Sequence, residues 1–426
     1  MARSEAGPQR RTELDAIRLL VVLGLVFFHA ALVFDSRDDY YVKNAETTDV
    51  TTILAGLCVV WAMPILFLIS GFGAWHSLHR RAPGTFTMER LRRLGVPLVF
   101  ATVVMMPLPQ WLRLRAADSD ADESYWHFWP RFFDVHLELS DFPFILEGEH
   151  FETGHLWFVV LLLTFSLVLA ALVRLVPGER VRPWGDWFGS VLARRGGSLL
   201  PAVPIALISA FVGLEESFAG WSRWAYLLFF LGGFVLAVDD RFRSAMRRDA
   251  VLAAVIGFAA FQLTAPGFLT ADDPFTDMTA LSIGTRAAFG VAGWCCVVGI
   301  LGLLDRRRWR AESASRREGE KQPEGEAWPA GTSQLTNGSA RRRLYGYLAV
   351  AALPVYILHQ PIVVAVAYVV VDWEASIPVK YAVIVAISLA LTLAVYDVAV
   401  RRTRVTRFLF GMREPVRPAR LSRRTG

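Results

Sequence analysis

The sequence predicts an all-α protein, a polytopic integral membrane bundle of about ten transmembrane helices, and three observations carry that prediction. The 426-residue chain is 54% hydrophobic and 20% charged, too apolar for an ordinary soluble domain. Its apolar runs recur at the ~20-residue length that crosses a bilayer. Its Lys and Arg residues collect in alternate loops, 36 on one side of the alternation against 5 on the other. That asymmetry is expected when one set of loops is cytoplasmic, so both termini are expected in the cytoplasm and the chain in the cell membrane.

Taken in order, the spans are expected at 14–34, 52–75, 94–112, 155–175, 198–214, 222–238, 250–269, 281–304, 344–370 and 379–400. The fifth and sixth lie near the lower length limit and share a short connection, 213–222. No small-residue cleavage pattern follows the first run, which therefore reads as a retained helix rather than a signal peptide. Residues 1–13 form a cytoplasmic lead, 14–400 the membrane domain, and 401–426 an Arg-rich cytoplasmic tail suited to anionic lipid. Within the domain, 305–343 is a cytoplasmic linker whose Glu-, Gly-, Ser- and Pro-rich centre, 312–340, has little to bury and is expected to be disordered. The opposite loops are acidic, with Asp35, Asp38 and Asp39, then Asp118, Asp120, Asp122 and Glu123.

Topology accounts for the net charge of +6, so no nucleic-acid partner is implied. Cys58, Cys295 and Cys296 lie in apolar segments, which indicates neither disulfides nor a metal site. No internal repeat is visible, which weakens an inverted-repeat transporter.

The first span carries the chemistry that stands out. Arg18 and His29 are eleven positions apart, which at ~100° per residue places them within about 20° of one helix face with a rise of roughly 16 Å. An ionisable residue inside a span costs about 3 kcal/mol or more, so two on one stripe point to a buried polar route. Asp15, with Thr12, reads either as a capping box or as the partner of the Arg18 guanidinium one turn on. Arg18 also has the look of an inside anchor.

His359, in "LPVYILHQPI", lies about 15 residues into the ninth span, at the depth of His29 in a helix running the same way. His155, in "TGHLWF", opens the fourth span at its external end. Each alone is as readily structural as functional, but three on the outer half of one bundle make a shared polar site the expectation. In "FLISGFGAW", Ser70, Gly71 and Gly73 permit close helix packing. Arg90, Arg92 and Arg93 stand at the cytoplasmic mouth of the third span, as inside anchors or as forks for phosphate oxygens. The loop 113–154 contains "YWHFWPRFFDVH", an interfacial helix or an aromatic platform for a sugar.

These residues resemble the acyltransferase family 3 membrane proteins, which have about ten spans. The likeness rests on "LDAIRLLVVLGLVFFH", "FLISGF" followed by "MERLRRLGVP", "HLWF" and "PVYILHQP", in the family's order from residue 14 to about 361. "GHLWFVVLLL" is similar to the branch that includes glucan succinyl-modifying proteins. Many O-antigen-modifying members carry glutamates after the tryptophan, whereas 158–163 has none here. With no hydrolase-like domain after the last helix, the chain resembles the stand-alone members.

The resemblance implies transfer of an acetyl, succinyl or similar group from cytoplasmic acyl-CoA to a hydroxyl of a glycan or other envelope acceptor, with no bound cofactor. It implies His29 as the essential histidine, acting as general base or transient acyl carrier. The expected site is then His29 and His359 for catalysis, with Arg18, Arg90, Arg93 and Asp15 for the donor. His155, Trp157 and Ser70 are expected at the acceptor or in support. The rival readings are a proton-coupled transporter, in which Arg and His form an ion path, and a non-catalytic subunit of a polysaccharide export assembly.

Overall fold

The computed structural model describes residues 12–412 apart from 38, 119–122, 177, 239 and 321–334. Asp38, Asp120 and Asp122, most of the N-terminal lead and the end of the basic tail lie outside the described residues. The helices are α1 (Thr12–Leu32), α2 (Asp49–Arg80), α3 (Pro83–Ala117), α4 (Trp157–Leu175) and α5 (Ala202–Phe211). They continue as α6 (Arg223–Val238), α7 (Asp240–Thr270), α8 (Ala280–Glu320), α9 (Leu335–Val370) and α10 (Ile377–Val400). A small hairpin, β1 (His136–Leu137) with β2 (Leu146–Glu147), completes the regular structure among the described residues.

All of these helices but α5 are long and apolar enough to cross a membrane. The fifth expected span is a ten-residue helix instead. Gly196, at φ 74°, leads into a 3-10 turn, Gly197–Leu199, and Pro201 follows it, so regular helix begins late, at Ala202. The segment nevertheless passes between the two ends of the bundle. At one end Asp249, near the start of α7, accepts from Gly196 N at 3.1 Å and Ser198 Oγ at 2.9 Å. At the other, Leu214 N donates at 3.0 Å to Phe275 O, beyond the end of α7.

Helix ends extend past the apolar runs. α3 begins at Pro83 rather than 94, and a five-residue π-helical stretch, Leu91–Gly95, carries its arginines. The stretch expected as a linker is helical at both sides, through Glu320 and again from Leu335. Composition measures what a segment can bury, and a polar helix that continues a buried one needs to bury nothing.

Close packing rests on a few glycines. A Cβ on Gly71 of α2 would lie 1.8 Å from Phe230 O, and one on Gly233 of α6 would lie 1.8 Å from Leu68 O. Gly73 has nothing within 4 Å, so Gly71 alone of the pair sits in this crossing.

Cations terminate four helices on one side of the bundle. Lys43 Nζ donates to Leu32 O of α1 at 2.9 Å, and Arg286, fully buried, donates to Ala210 O of α5 at 2.9 Å. Arg37 reaches Phe268 O of α7 at 2.6 Å, and Lys380 reaches Val371 O, next after α9, at 2.6 Å. Each satisfies a carbonyl that helix geometry leaves open, at the negative end of the helix dipole.

The loop 113–154 folds over the same side. Its short helix Tyr125–Phe132 buries Phe128 and Phe132 and leaves Trp126 outward, the amphipathic pattern of an interfacial helix. Arg223 anchors the loop by donating to Asp141 O, Phe142 O and the Asp141 carboxylate while pairing with Glu215 at 2.6 Å.

Candidate active site

α1 and α9 pack side by side and bring His29 and His359 together, with ring centroids 5.1 Å apart. His155 lies in the 3-10 turn, Gly154–Leu156, that opens α4, and its ring meets His359 at 5.0 Å. His359 is therefore the middle of a row of three. It and His155 are buried, while His29 is half-buried.

Three residues of α9 hold the peptide and ring of His155. Its N–H donates to Gln360 Oε1 at 3.1 Å, its C=O accepts from the Tyr356 hydroxyl, and its Nε2 bonds to Ile357 O at 3.2 Å. Tyr356 and Gln360 are four apart, so one helix face presents both to the same peptide. His359 Nδ1 bonds to Tyr356 O in its own helix.

Those carbonyl contacts determine what the rings offer. A carbonyl can only accept, so His155 Nε2 and His359 Nδ1 carry protons. In the neutral rings His155 Nδ1 and His359 Nε2 are then acceptors. Both are buried without a hydrogen-bond partner, and so is His29 Nδ1. A buried polar atom left unpaired costs about 1–3 kcal/mol, so three in one place mark a site built to receive polar groups, hydrogen-bond donors at two of them.

The connection between α1 and α2 covers this row. Tyr40 stacks on His29 at 5.9 Å with planes 23° apart. Tyr41 donates its hydroxyl to Glu152, three residues before His155. Burial pushes the Glu152 carboxyl up, against the pull of the Tyr41 hydrogen bond and of Arg113. Gly154, at φ +46°, permits this closeness, since a Cβ there would stand 2.9 Å from the Tyr41 hydroxyl. Among the described residues no group of three or more His, Cys, Asp or Glu is placed to hold a metal ion.

The expected donor residues each have partners of their own. Arg18 lies 3.7 Å from Asp15, both half-buried, on α1. The Arg90 guanidinium lies 4.9 Å from the Phe86 ring centre, and Arg93 lies 3.6 Å from Glu89 and 3.5 Å from Gly411 O. The helical segment that begins α3 packs on α4.

Two expected residues lie away from the histidines. Trp157 turns into an aromatic core with Tyr226 at 5.2 Å, Phe218 at 5.6 Å and Phe67 at 6.3 Å. Ser70 is far along α2, roughly 30 Å by helix rise from the end at which His29 lies. Tyr40, Tyr41, Glu152, Tyr356 and Gln360 were not singled out by the sequence. Tyr356 and Gln360 had a readable signal, one turn apart around His359.

Residues 11–397 match the family model of the acyltransferase 3 domain. The chain belongs to the acyltransferase 3 family. Every histidine and arginine placed above lies inside the matched range. Among similar proteins, glucans biosynthesis protein C of Escherichia coli O6:K15:H31 is 28% identical over 158 residues, 37% of this chain and 37% of that protein. The protein of the same name in Escherichia coli K12 is 27% identical over 158 residues, again 37% of each chain. The chain thus matches little more than a third of the length of these relatives. No solved structure matches. The family's acyltransferase domain here is a multi-pass helical membrane bundle with a buried row of histidines.

Proposed function

We propose that the chain is an integral membrane O-acyltransferase that moves an acetyl, succinyl or similar group from cytoplasmic acyl-CoA to a hydroxyl of a glycan or related envelope acceptor. The observation that carries this reading is the row His29–His359–His155, with three buried ring nitrogens without partners, two of them acceptors. A substrate hydroxyl can donate to such a nitrogen.

In the proposed reaction the hydroxyl oxygen attacks the thioester carbonyl as its proton passes to His29. The new C–O bond forms, the C–S bond breaks, and the proton leaves with the CoA thiol. His359 Nε2, held as an acceptor by the bond its other nitrogen makes, receives a hydrogen bond from the imidazolium that develops on His29. The Tyr356 and Gln360 contacts fix His155 at the far end of the row. Arg18, oriented by Asp15, and the Arg90 and Arg93 pair recognise the CoA phosphates at the cytoplasmic mouth, where planar forks suit phosphate oxygens. Membrane lipid surrounds the bundle. The names of the similar proteins make a glucan the first acceptor to try.

The test is CoA release by purified protein from acetyl-CoA or succinyl-CoA with and without a glucan oligosaccharide. Acceptor-dependent release is expected from the natural chain, with a fall of about 100-fold or more in a folded His29→Ala protein. Substantial turnover by that variant, or release that never needs an acceptor, overturns the reading.

A further inference from the structure

Glu152 is a carboxyl in an unusual position. It sits on the loop that leads into His155, half-buried, and Tyr41 donates to one of its oxygens. Among the described residues no cation pairs with it. Arg113, the nearby guanidinium, is bound to Asp39 instead. Its second oxygen takes no hydrogen bond from any described residue and is not sealed from the exterior.

A structural account of this residue is poor. Joining two loops through the Tyr41 hydroxyl needs only an acceptor oxygen, and glutamine supplies one without the cost of withdrawing a charge from water. An acid that forms no ion pair with a described residue, on the loop that leads into a row of histidines, is better explained by something that arrives and uses it. A carboxyl is acceptor-rich when ionised, and hydroxyls are among the donors it takes.

Glu152 is also tied to the reacting residue through its neighbours. Tyr41 and Tyr40 are consecutive, their rings 5.3 Å apart, and Tyr40 stacks on His29. Three residues beyond Glu152, His155 begins the row that ends at His29. Glu152 and the histidines thus belong to one connected set of side chains, through Tyr41 and Tyr40 on one side and the chain to His155 on the other.

We propose that Glu152 is the acceptor-binding residue of this enzyme: its free oxygen takes a second hydroxyl of a polyhydroxyl acceptor, a sugar, and so orients the hydroxyl that His29 deprotonates. Tyr41 is a positioning residue that holds the carboxyl. This rests on the acyltransferase reading above, and it adds selection of polyols over simple alcohols.

The test compares a glucan oligosaccharide with 1-butanol as acceptors, both with acetyl-CoA, in the natural chain, Glu152→Ala, Glu152→Gln and Tyr41→Phe. Glu152→Ala should raise the KM for glucan at least tenfold and leave the KM for acetyl-CoA and the rate with butanol unchanged, because butanol has no second hydroxyl. Tyr41→Phe should raise the glucan KM less, and Glu152→Gln should fall between Glu152→Ala and the natural chain. Equal loss with both acceptors in Glu152→Ala and Glu152→Gln, or an unchanged glucan KM, overturns the proposal while leaving acyl transfer intact. If the natural chain acylates neither probe, the acyltransferase reading itself fails and this proposal falls with it.

Discussion

Replacing Gly71 and Gly73 by alanine, one at a time, sets two positions of α2 against each other. A Cβ on Gly71 would stand 1.8 Å from Phe230 O, whereas carbon–oxygen contact begins at about 3.3 Å. The obstacle is a backbone carbonyl that cannot rotate aside, so α2 and α6 must part by about 1.5 Å. A gap of half that size already forfeits a quarter to a half of the dispersion well for each atom pair across the crossing. The matching contact of Gly233 with Leu68 O opens at the same time. Overpacking costs about 1–3 kcal/mol, and the rigid obstacle puts this case near 3. Alanine's better helix propensity returns about 1 kcal/mol, leaving Gly71→Ala about 2 kcal/mol less stable. Gly73 has open space, so Gly73→Ala meets no strain and gains up to about 1 kcal/mol. Reversible unfolding in mixed micelles should thus separate the two variants by about 3 kcal/mol, near 100-fold in the folding equilibrium, with opposite signs. Equal stabilities, or a larger loss at Gly73, would refute the glycine crossing.

Gln360→Leu should leave the buried His155 N–H unpaired, lower stability by about 1–3 kcal/mol, and reduce acyl transfer more than Gln360→Glu, which keeps an acceptor oxygen; melting and steady-state rates on the same preparations check both. Because burial raises the folded-state value of Glu152, at pH between the ordinary carboxyl value and the raised one the folded protein holds a proton that the unfolded chain has lost. Stability should fall as pH rises from the ordinary carboxyl range through that raised value, and Glu152→Gln should flatten the slope in a melting series across pH. In sealed right-side-out vesicles, acyl-CoA trapped inside should support acylation of an external glucan, and acyl-CoA supplied outside should not; equal rates from both sides would remove the cross-membrane arrangement.

Nine of the ten crossings were legible because apolar length is a property of the segment itself, independent of its neighbours. α5 was harder to read because Pro201 and the turn at Gly196 delay its start while tertiary bonds to Asp249 and Phe275 O still hold the segment across the bundle. Depth was also readable. Counting rise along α1 and α9 put His29 and His359 level, and their rings lie 5.1 Å apart. Facing was not readable to the same degree: Trp157, two residues after His155, points into the aromatic core because packing against Tyr226 and Phe218 decides its direction. The Tyr41–Glu152 bond joins loops 111 residues apart, and neither loop has a period from which its path follows.

The arrangement of charge bears on which substrate enters from which side. Nine crossings would put the termini on opposite faces, but the path of the short α5 from Asp249 to Phe275 supplies a tenth and is consistent with the Lys and Arg asymmetry. On the face where α1 and α9 end, the cations are already engaged. Arg37, Lys43, Arg286 and Lys380 hold helix carbonyls, Arg113, Arg131 and Arg223 pair with acids, and Arg115 lies over Trp111. Under the proposed function, a neutral sugar arriving there would meet hydroxyls and the Glu152 carboxyl. At the other face α1 and α3 carry Arg18, Arg90, Arg92 and Arg93 within a few turns of their starts, with Asp15 beside Arg18, Phe86 beneath Arg90 and Glu89 beside Arg93. Under the proposed function, the number of guanidinium groups at one face suits the CoA phosphates, and the Tyr41 and Glu152 face, to which the histidine row lies nearer, suits the acceptor.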